Sequence, residues 1–217
     1  MIPAARLASV IEILEKVEDE SLNIDHLLVR YFKRRRYAGS KDRRQIRERI
    51  YRIVRNRFKL EWWLQEVIGE PPTSRLLVLS DLAFFEFCSQ SELGKIFNGA
   101  MHHPEPLNQN EKEIYQALVG KEICRDQMPM NVRFECPDWI FAKLEPAFGS
   151  ELEKCMLALS EEASIDLRVN SLTKTTRGQA QILLEKFGIK AEKTKYSPVG
   201  LRIHSRRRID RLKPFRD

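Results

Sequence analysis

The residues of this sequence that are best suited to chemistry are cationic. Residues 30–59 hold 14 lysines and arginines against two acids, Asp42 and Glu48. Like charges repel one another, so this density of positive charge lowers stability unless a polyanion or solvent screens the repulsion. The phosphates of a nucleic acid are such a polyanion. The segment therefore predicts contact with RNA or DNA, and the alternative is a solvated helix face.

Catalytic and metal-binding motifs are not found. The sequence has no phosphate-binding glycine loop, no Gly-x-Ser-x-Gly elbow and no His-Glu-x-x-His helix. His102 and His103 are adjacent and cannot share one helix face as a metal pair would. Cys136 lies just before a predicted helix start, where the dipole could lower the pKa of its thiol, but no general base is identifiable beside it, so it is interpreted as a small buried or capping residue. We predict no catalytic residue, no metal site and no cofactor site in this chain.

The composition indicates a cytoplasmic protein. The 217 residues carry a formal net charge of +7, and 42% of them are hydrophobic. The four cysteines show no Cys-x-x-Cys pair and suggest reduced thiols. The acidic N-terminal stretch is unlike a signal peptide, and no apolar run approaches the roughly 20 residues that span a bilayer. Secretion and membrane insertion are therefore not expected.

Apolar residues at helical spacing predict a mainly α-helical front part of six to eight helices over about 160 residues. Ser40 is the predicted N-cap of a helix in which Ile46, Ile53 and Phe58 share one apolar arc. Arg44, Arg52 and Arg55 project from the other side of that helix. Residues 75–88 are apolar enough to form the central helix of a bundle. Trp62 and Trp63 are interpreted as core, with base stacking as the alternative.

The sequence period changes from 3.6 to 2 near residue 161. Ile165, Leu167 and Val169 alternate with polar residues and predict a strand. A helix capped by Thr175 or Thr176 and two strands, at 189–194 and 199–204, follow. The predicted order is βαββ, an α+β subdomain that we expect to be incomplete because a small sheet needs more strands or another domain to bury its face.

The most specific match to a known family is Tyr-Phe-Lys-Arg-Arg-Arg-Tyr-Ala-Gly-Ser-Lys-Asp-Arg-Arg at 31–44, followed by Ile-Tyr-Arg-Ile-Val-Arg at 50–55. This stretch resembles the basic helical hairpin in the NusB-like domain of the bacterial RsmB/Sun-type ribosomal RNA cytosine-5 methyltransferases. Pro-Asp-Trp-Ile at 137–140, with Phe-Gly at 148–149, and Asp-Leu-Arg-Val-Asn-Ser-Leu at 166–172 are similar to the family's linker helix and its Leu-Arg-x-Asn strand. Tyr-Ser-Pro-Val-Gly-Leu-Arg at 196–202 resembles the hairpin before its catalytic domain.

The resemblance implies three parts for this chain. They are a NusB-like helical RNA-binding domain at 1–135, linker helices at 136–160 and a partial α+β RNA-recognition subdomain at 161–217. It also implies a Rossmann-like domain that binds S-adenosylmethionine and uses two cysteines, in Pro-Cys and Thr-Cys motifs, to methylate 16S ribosomal RNA. Cys136-Pro137 has the reversed order and receives no catalytic role. We expect that domain to lie beyond Asp217, so that this chain is a truncated or split product, or an RNA-binding relic, without methyl-transfer activity alone.

The predicted RNA-binding residues lie in both halves of the chain. They are Arg34, Arg35, Arg36, Lys41, Arg43, Arg44, Arg52, Arg55, Arg168, Asn170, Arg206, Arg207 and Arg208. For Arg168 and Asn170 the alternative is local hydrogen bonding that fixes the strand and the turn.

The expected partner is RNA, and 16S ribosomal RNA by the resemblance. An alternative is a stand-alone NusB-like module for protein interaction or antitermination. Its acidic segment 60–160 would then bind a basic ribosomal protein. A third hypothesis is that a separately encoded methyltransferase domain docks on residues 161–217 and restores activity when the two pieces are mixed.

Overall fold

The change of sequence period near residue 161 corresponds to a change from helices to a small sheet. A computed structural model describes residues 1–20, 23–160 and 163–204, and the chain divides into two compact units, residues 1–152 (unit 1) and 153–217 (unit 2). The boundary falls inside the segment 136–160 that the sequence predicted as linker helices. The protein is mainly α-helical, as predicted.

Unit 1 is built from helices. They are α1 (Pro3–Glu20), α2 (Ile24–Arg34), α3 (Ser40–Arg55), α4 (Arg57–Trp62), α5 (Ser74–Phe85), α6 (Gln90–Ile96), α7 (Gln109–Leu118), α8 (Met130–Arg133) and α9 (Asp138–Phe148). A π-helical stretch, Trp63–Ile68, continues α4, and a further helix, α10 (Leu152–Ser160), crosses the unit boundary.

The core of unit 1 surrounds α5. Every residue of α5 from Leu76 to Phe84 is buried, which confirms its predicted central position. The side chain of Thr73 caps this helix by accepting a hydrogen bond from the Leu76 N–H at 3.2 Å. Trp63 is fully buried and donates its indole N–H to the carbonyl of Ile123 at 2.9 Å, so the interpretation of Trp63 as core is confirmed.

Two local predictions about α3 are wrong. Ser40 is the first helical residue, and the N-cap is Gly39, which has no side chain to cap the helix. The apolar arc does not continue unbroken to Phe58, because α3 ends at Arg55 and a new helix starts at Arg57. The Glu135 carboxylate stabilises this new start by accepting hydrogen bonds from the N–H groups of Phe58, at 2.8 Å, and Lys59, at 3.1 Å.

Unit 2 contains the predicted βαββ order. Its elements are β1 (Ile165–Arg168), α11 (Arg177–Lys186), β2 (Ala191–Lys193) and β3 (Gly200–Ile203). The strands form an antiparallel sheet with the order β1-β3-β2. Thr176 is the N-cap of α11 in a capping box with Gln179, as the sequence allowed. The small core consists of Leu184, Ile189, Ala191, Leu201 and Ile203, with Ile165, Leu167 and Val169 packed against it.

Candidate nucleic-acid interface

The basic segment forms a helical hairpin in unit 1, made of α2, a five-residue loop and α3. Tyr31, Phe32 and Ala38 are buried and attach the hairpin to the core. Arg43 closes the loop, because its Nε donates a hydrogen bond to the carbonyl of Ala38 at 2.8 Å. The guanidinium of Arg43 also lies 5.5 Å from the centre of the Phe32 ring, within cation–π range. Arg43 therefore shapes the loop that carries its neighbours.

Two arginines of α3 are anchored to α5 through a buried carboxylate. The side chain of Asp81 is fully buried and accepts hydrogen bonds from Arg49 at 2.8 Å and from Arg52 at 2.6 and 2.7 Å. Glu86 completes the network by contacting Arg49 at 2.6 Å and Arg52 at 2.8 Å. We call these four residues the anchored cluster. Arg52, a predicted RNA contact, is thus bound within the protein.

The charges of the anchored cluster stabilise one another. Burial opposes the ionisation of Glu86, but its hydrogen bonds from Arg49 and Arg52 hold the pKa of that carboxyl below its usual value. Burial likewise works against the charge of Arg52, and its bonds to Asp81 and Glu86 raise the pKa of the guanidinium above its ordinary range. Both groups therefore stay ionised at neutral pH.

Arg35 is also held by the fold. One of its terminal nitrogens contacts both carboxylate oxygens of Glu12 at 2.8 Å, and its guanidinium stacks 3.9 Å from the centre of the Tyr31 ring. Burial opposes the charge of Glu12, but hydrogen bonds from Lys16 and Tyr31 and the charge of Arg35 lower the pKa of that carboxyl. The side chain of Arg35 is therefore bound to α1.

The other predicted cations of the hairpin are more exposed. Arg44 pairs with Glu48 at 2.7 Å on the solvent face of α3, and Arg55 lies 5.7 Å from the Tyr51 ring centre. Arg34, Arg36 and Lys41 are exposed, and no ion pair joins them to a carboxylate anywhere in the described residues. We call these three residues the exposed triad.

Sequence reasoning missed two cations of the same kind. Lys33 and Arg47 are exposed and make no ion pair among the residues that the structure describes. Arg47 lies one helical turn after Arg43 and Arg44, and it stands 5.5 Å from the Phe32 ring centre. The signal that could have identified Arg47 was this i, i+4 spacing on the basic side of α3.

The predicted residues of unit 2 lie at the end of β1 and in the turn after it. Arg168 is exposed and pairs in register with Gly200 of β3. The Asn170 side chain accepts a hydrogen bond from the Leu172 N–H at 3.1 Å, which is the local bond given as its alternative role. Arg206, Arg207 and Arg208 lie outside the described residues.

The thiol of Cys136 is not activated. Cys136 is buried, and burial together with the negative charge of Asp138 raises the pKa of the thiol. The interpretation of Cys136 as a small buried residue is therefore confirmed. Across residues 1–20, 23–160 and 163–204, no cluster of metal-ligating side chains forms, and no helix is long and apolar enough to cross a membrane.

The chain is similar to proteins named as ribosomal RNA methyltransferases. The profile of the ferredoxin-like domain of RsmF/B-like methyltransferases matches residues 136–210. Ribosomal RNA small subunit methyltransferase B of Serratia proteamaculans is 23% identical over 174 residues, which cover 71% of this chain and 38% of that protein. The protein of the same name from Proteus mirabilis is 21% identical over 215 residues, covering 94% of this chain and 50% of the relative.

A solved structure has a related fold. The crystal structure of PH0851 superimposes with a TM-score of 0.58 at 18% identity, covering 99% of this chain and 52% of that chain. The chain therefore spans about half or less of the length of the proteins that it matches.

Proposed function

Because the chain belongs, over part of the length of its relatives, to the RsmB/Sun-type family of ribosomal RNA methyltransferases, we propose that residues 1–217 bind ribosomal RNA and position it for methylation. In this proposal unit 1 is a NusB-like bundle whose basic hairpin holds RNA phosphates. Methyl transfer and S-adenosylmethionine binding are assigned to the family's Rossmann-like domain, so residues 1–217 alone transfer no methyl group.

The observation that supports RNA binding is the exposed triad. Arg34, Arg36 and Lys41 keep their charges in solvent beside a loop that Arg43 and Ala38 hold in one shape. When lysine and arginine side chains without a carboxylate partner contact phosphates, the counterions condensed on the nucleic acid are released. This release gives affinity without sequence preference. The hairpin therefore suits binding and positioning, and base specificity requires other residues.

Charge reversal tests the proposal on the full chain. The variant Arg34→Glu, Arg36→Glu, Lys41→Glu leaves Arg35 in place, because a glutamate at that position would face Glu12 and disturb the fold. We expect it to lose at least about tenfold in affinity for a 16S ribosomal RNA fragment at physiological salt, measured by fluorescence anisotropy. The matched control reverses three exposed lysines of unit 1 outside the hairpin, at positions 95, 112 and 143, with the same change in net charge.

Salt dependence provides a second measurement. If about six phosphates are neutralised, the logarithm of the binding constant should fall against the logarithm of salt concentration with a slope near −4 for single-stranded RNA. A flat salt response, or equal losses in the triad variant and the lysine control, would contradict the role of the hairpin.

A groove in unit 1 supports a second candidate function, the binding of a basic protein segment. The groove has a volume of about 910 Å³ and is lined by the carboxylates Glu61, Glu66 and Asp138 and by the aromatic rings of Trp62 and Trp139. None of its lining residues is a lysine or an arginine, although Arg57 pairs with the Glu61 carboxylate at 2.6 Å and the ammonium of Lys143 lies 5.6 Å from the centre of the Trp139 ring. Carboxylates and indole faces both attract arginine side chains.

The two functions separate in a binding assay. The probe for the second function is a nine-residue oligoarginine peptide, and Glu66→Lys combined with Trp139→Ala should weaken its binding at least about fivefold. The triad variant should bind this peptide as the wild type does. If the groove variant binds as tightly as the wild type, the protein-binding function is wrong.

A further inference from the structure

A basic groove lies on the sheet of unit 2. It has a volume of about 550 Å³. Side chains alternate across β1, so Ile165 and Leu167 pack on the core with α11, whereas Asp166 and Arg168 lie on the opposite, open face. The groove runs from this open face to the loop that joins β2 to β3.

The loop presents an aromatic ring to solvent at the edge of the groove. Tyr196 is 89% exposed, and the ammonium of Lys195 lies 5.2 Å from the centre of its ring. Exposed aromatic rings bordered by cations are the usual platforms on which unpaired bases stack.

The conformation of this loop is fixed by the fold. Arg177, at the start of α11, donates hydrogen bonds to the carbonyls of Ser197 at 2.7 Å and Thr194 at 3.2 Å. Gly200 packs so closely against the loop that an added Cβ atom would overlap Thr194 Oγ1 and lie 2.9 Å from the Ser197 Cβ. The ring is therefore presented by an ordered loop, which lowers the entropy that a ligand would have to overcome.

The cations of the groove are available to a ligand. Arg202 pairs with Asp166 through two hydrogen bonds, at 2.8 and 2.9 Å, which occupies that acid. The carboxylate of Glu192 lies 3.6 Å from His204. Arg168, Lys193 and Lys195 line the groove, and within the described part of unit 2 none of them forms an ion pair.

We propose that this groove binds an unpaired nucleotide of the RNA, with the base stacked on Tyr196 and the adjoining phosphates held by Arg168 and Lys195. The proposal rests on the proposed RNA-binding function and adds a stacking site to the electrostatic hairpin of unit 1. It predicts that unit 2 distinguishes single-stranded RNA from duplex, because paired bases do not expose their faces for stacking.

The test measures binding of the full chain to a labelled single-stranded RNA octamer and to a duplex of the same length. Tyr196→Ala should weaken binding to the single strand about tenfold, whereas Tyr196→Phe should stay within about twofold of the wild type, because the ring does the stacking. Duplex affinity and the salt slope should not change in Tyr196→Ala, since no charge is removed. Arg168→Ala should reduce the salt slope by about 0.7.

Leu172→Ala is the matched control, because Leu172 is equally exposed, at 89%, in the same unit. A loss in Leu172→Ala as large as that in Tyr196→Ala would overturn the stacking site, and so would an equal loss on duplex. If Tyr196→Ala binds like the wild type while the triad variant loses affinity, the stacking site is wrong and the proposed function stands. If the wild type binds neither RNA, the proposed function fails and the stacking site fails with it. Tight binding of adenosine monophosphate alone, with no gain from a longer strand, would instead indicate a free-nucleotide site and overturn the RNA assignment.

Discussion

The cations of residues 30–59 fall into two groups that differ in their surroundings. Arg49 and Arg52 point at the fully buried carboxylate of Asp81, and Arg35 is bound to Glu12. The exposed triad lies in the same segment, but its side chains are in solvent and no carboxylate of the described residues pairs with them. Arginines of the same dense basic segment occur in both groups, so neither residue type nor sequence density distinguishes an anchoring arginine from a ligand-binding one.

The acids that neutralise cations of residues 30–59 need not lie within that segment. Asp42 and Glu48 are the acids within the segment, yet Arg35 finds its partner 23 positions away and Arg52 finds its partner 29 positions away. The surface available to RNA is therefore smaller than the sequence charge suggests. Anchored arginines contribute to the shape of the hairpin, and exposed cations contribute to its affinity.

The largest effect is expected from the anchored cluster. Asp81→Ala would leave two partly buried guanidiniums without their central carboxylate and should lower the free energy of unfolding by about 3 kcal/mol or more. Urea unfolding followed by circular dichroism would measure this loss. Glu48→Ala, which removes an exposed partner of Arg44, is the control and should leave the unfolding midpoint unchanged. Equal shifts of the unfolding midpoint in Asp81→Ala and Glu48→Ala would contradict the distinction between anchored and exposed cations.

Arg35 and Arg36 are adjacent in the sequence but belong to different groups. Their alanine variants should have smaller effects than Asp81→Ala. Arg35→Ala removes the contacts with Glu12 and Tyr31 and should cost about 1 kcal/mol of stability. Arg36→Ala should leave stability unchanged and reduce the salt slope of RNA binding by about 0.7. Thermal unfolding and anisotropy titrations on the same two proteins would measure both quantities. The comparison fails if Arg36→Ala destabilises the fold or if Arg35→Ala alone changes the salt slope.

The smallest expected effect is on pH dependence. The pKa of Glu86 is lowered in the folded protein, so its contribution to stability is present above its unfolded pKa of about 4.5 and is lost as pH falls through the folded value. Glu86→Gln should therefore flatten the loss of stability between pH 5 and pH 3, measured by urea unfolding at each pH.

Glu135 provides a control of opposite sign. Burial raises its pKa despite the hydrogen bonds from Phe58 and Lys59, so its contribution favours the fold at low pH and disappears as pH rises through the folded pKa. Glu135→Gln should remove a fall in stability above pH 4.5. A change of the same sign in both variants would contradict these assignments.

The sequence predicted much of the local structure. The change of period near residue 161, the central position of α5 and the cap at Thr176 all agree with the structure, because they depend on backbone periodicity and on hydrogen bonds within a few residues. The break between α3 and α4 was missed, because the carboxylate that stabilises the new helix start belongs to Glu135, more than seventy positions away. Tyr196 lies in a stretch that resembles a family hairpin, but the exposure of its ring and the groove beside it follow from the folded loop.

Residue spacing and composition alone predict that the chain is mainly helical, that a βαββ segment follows, and that cations concentrate in one hairpin. These properties follow from spacing along the chain, since helix and strand geometry fix which neighbours share a face. Which cations are neutralised and which remain in solvent depends on how the helices pack in three dimensions. Ion pairs form between side chains that folding brings within a few ångströms, and the energy of a charge depends on the burial and the partners that it finds there.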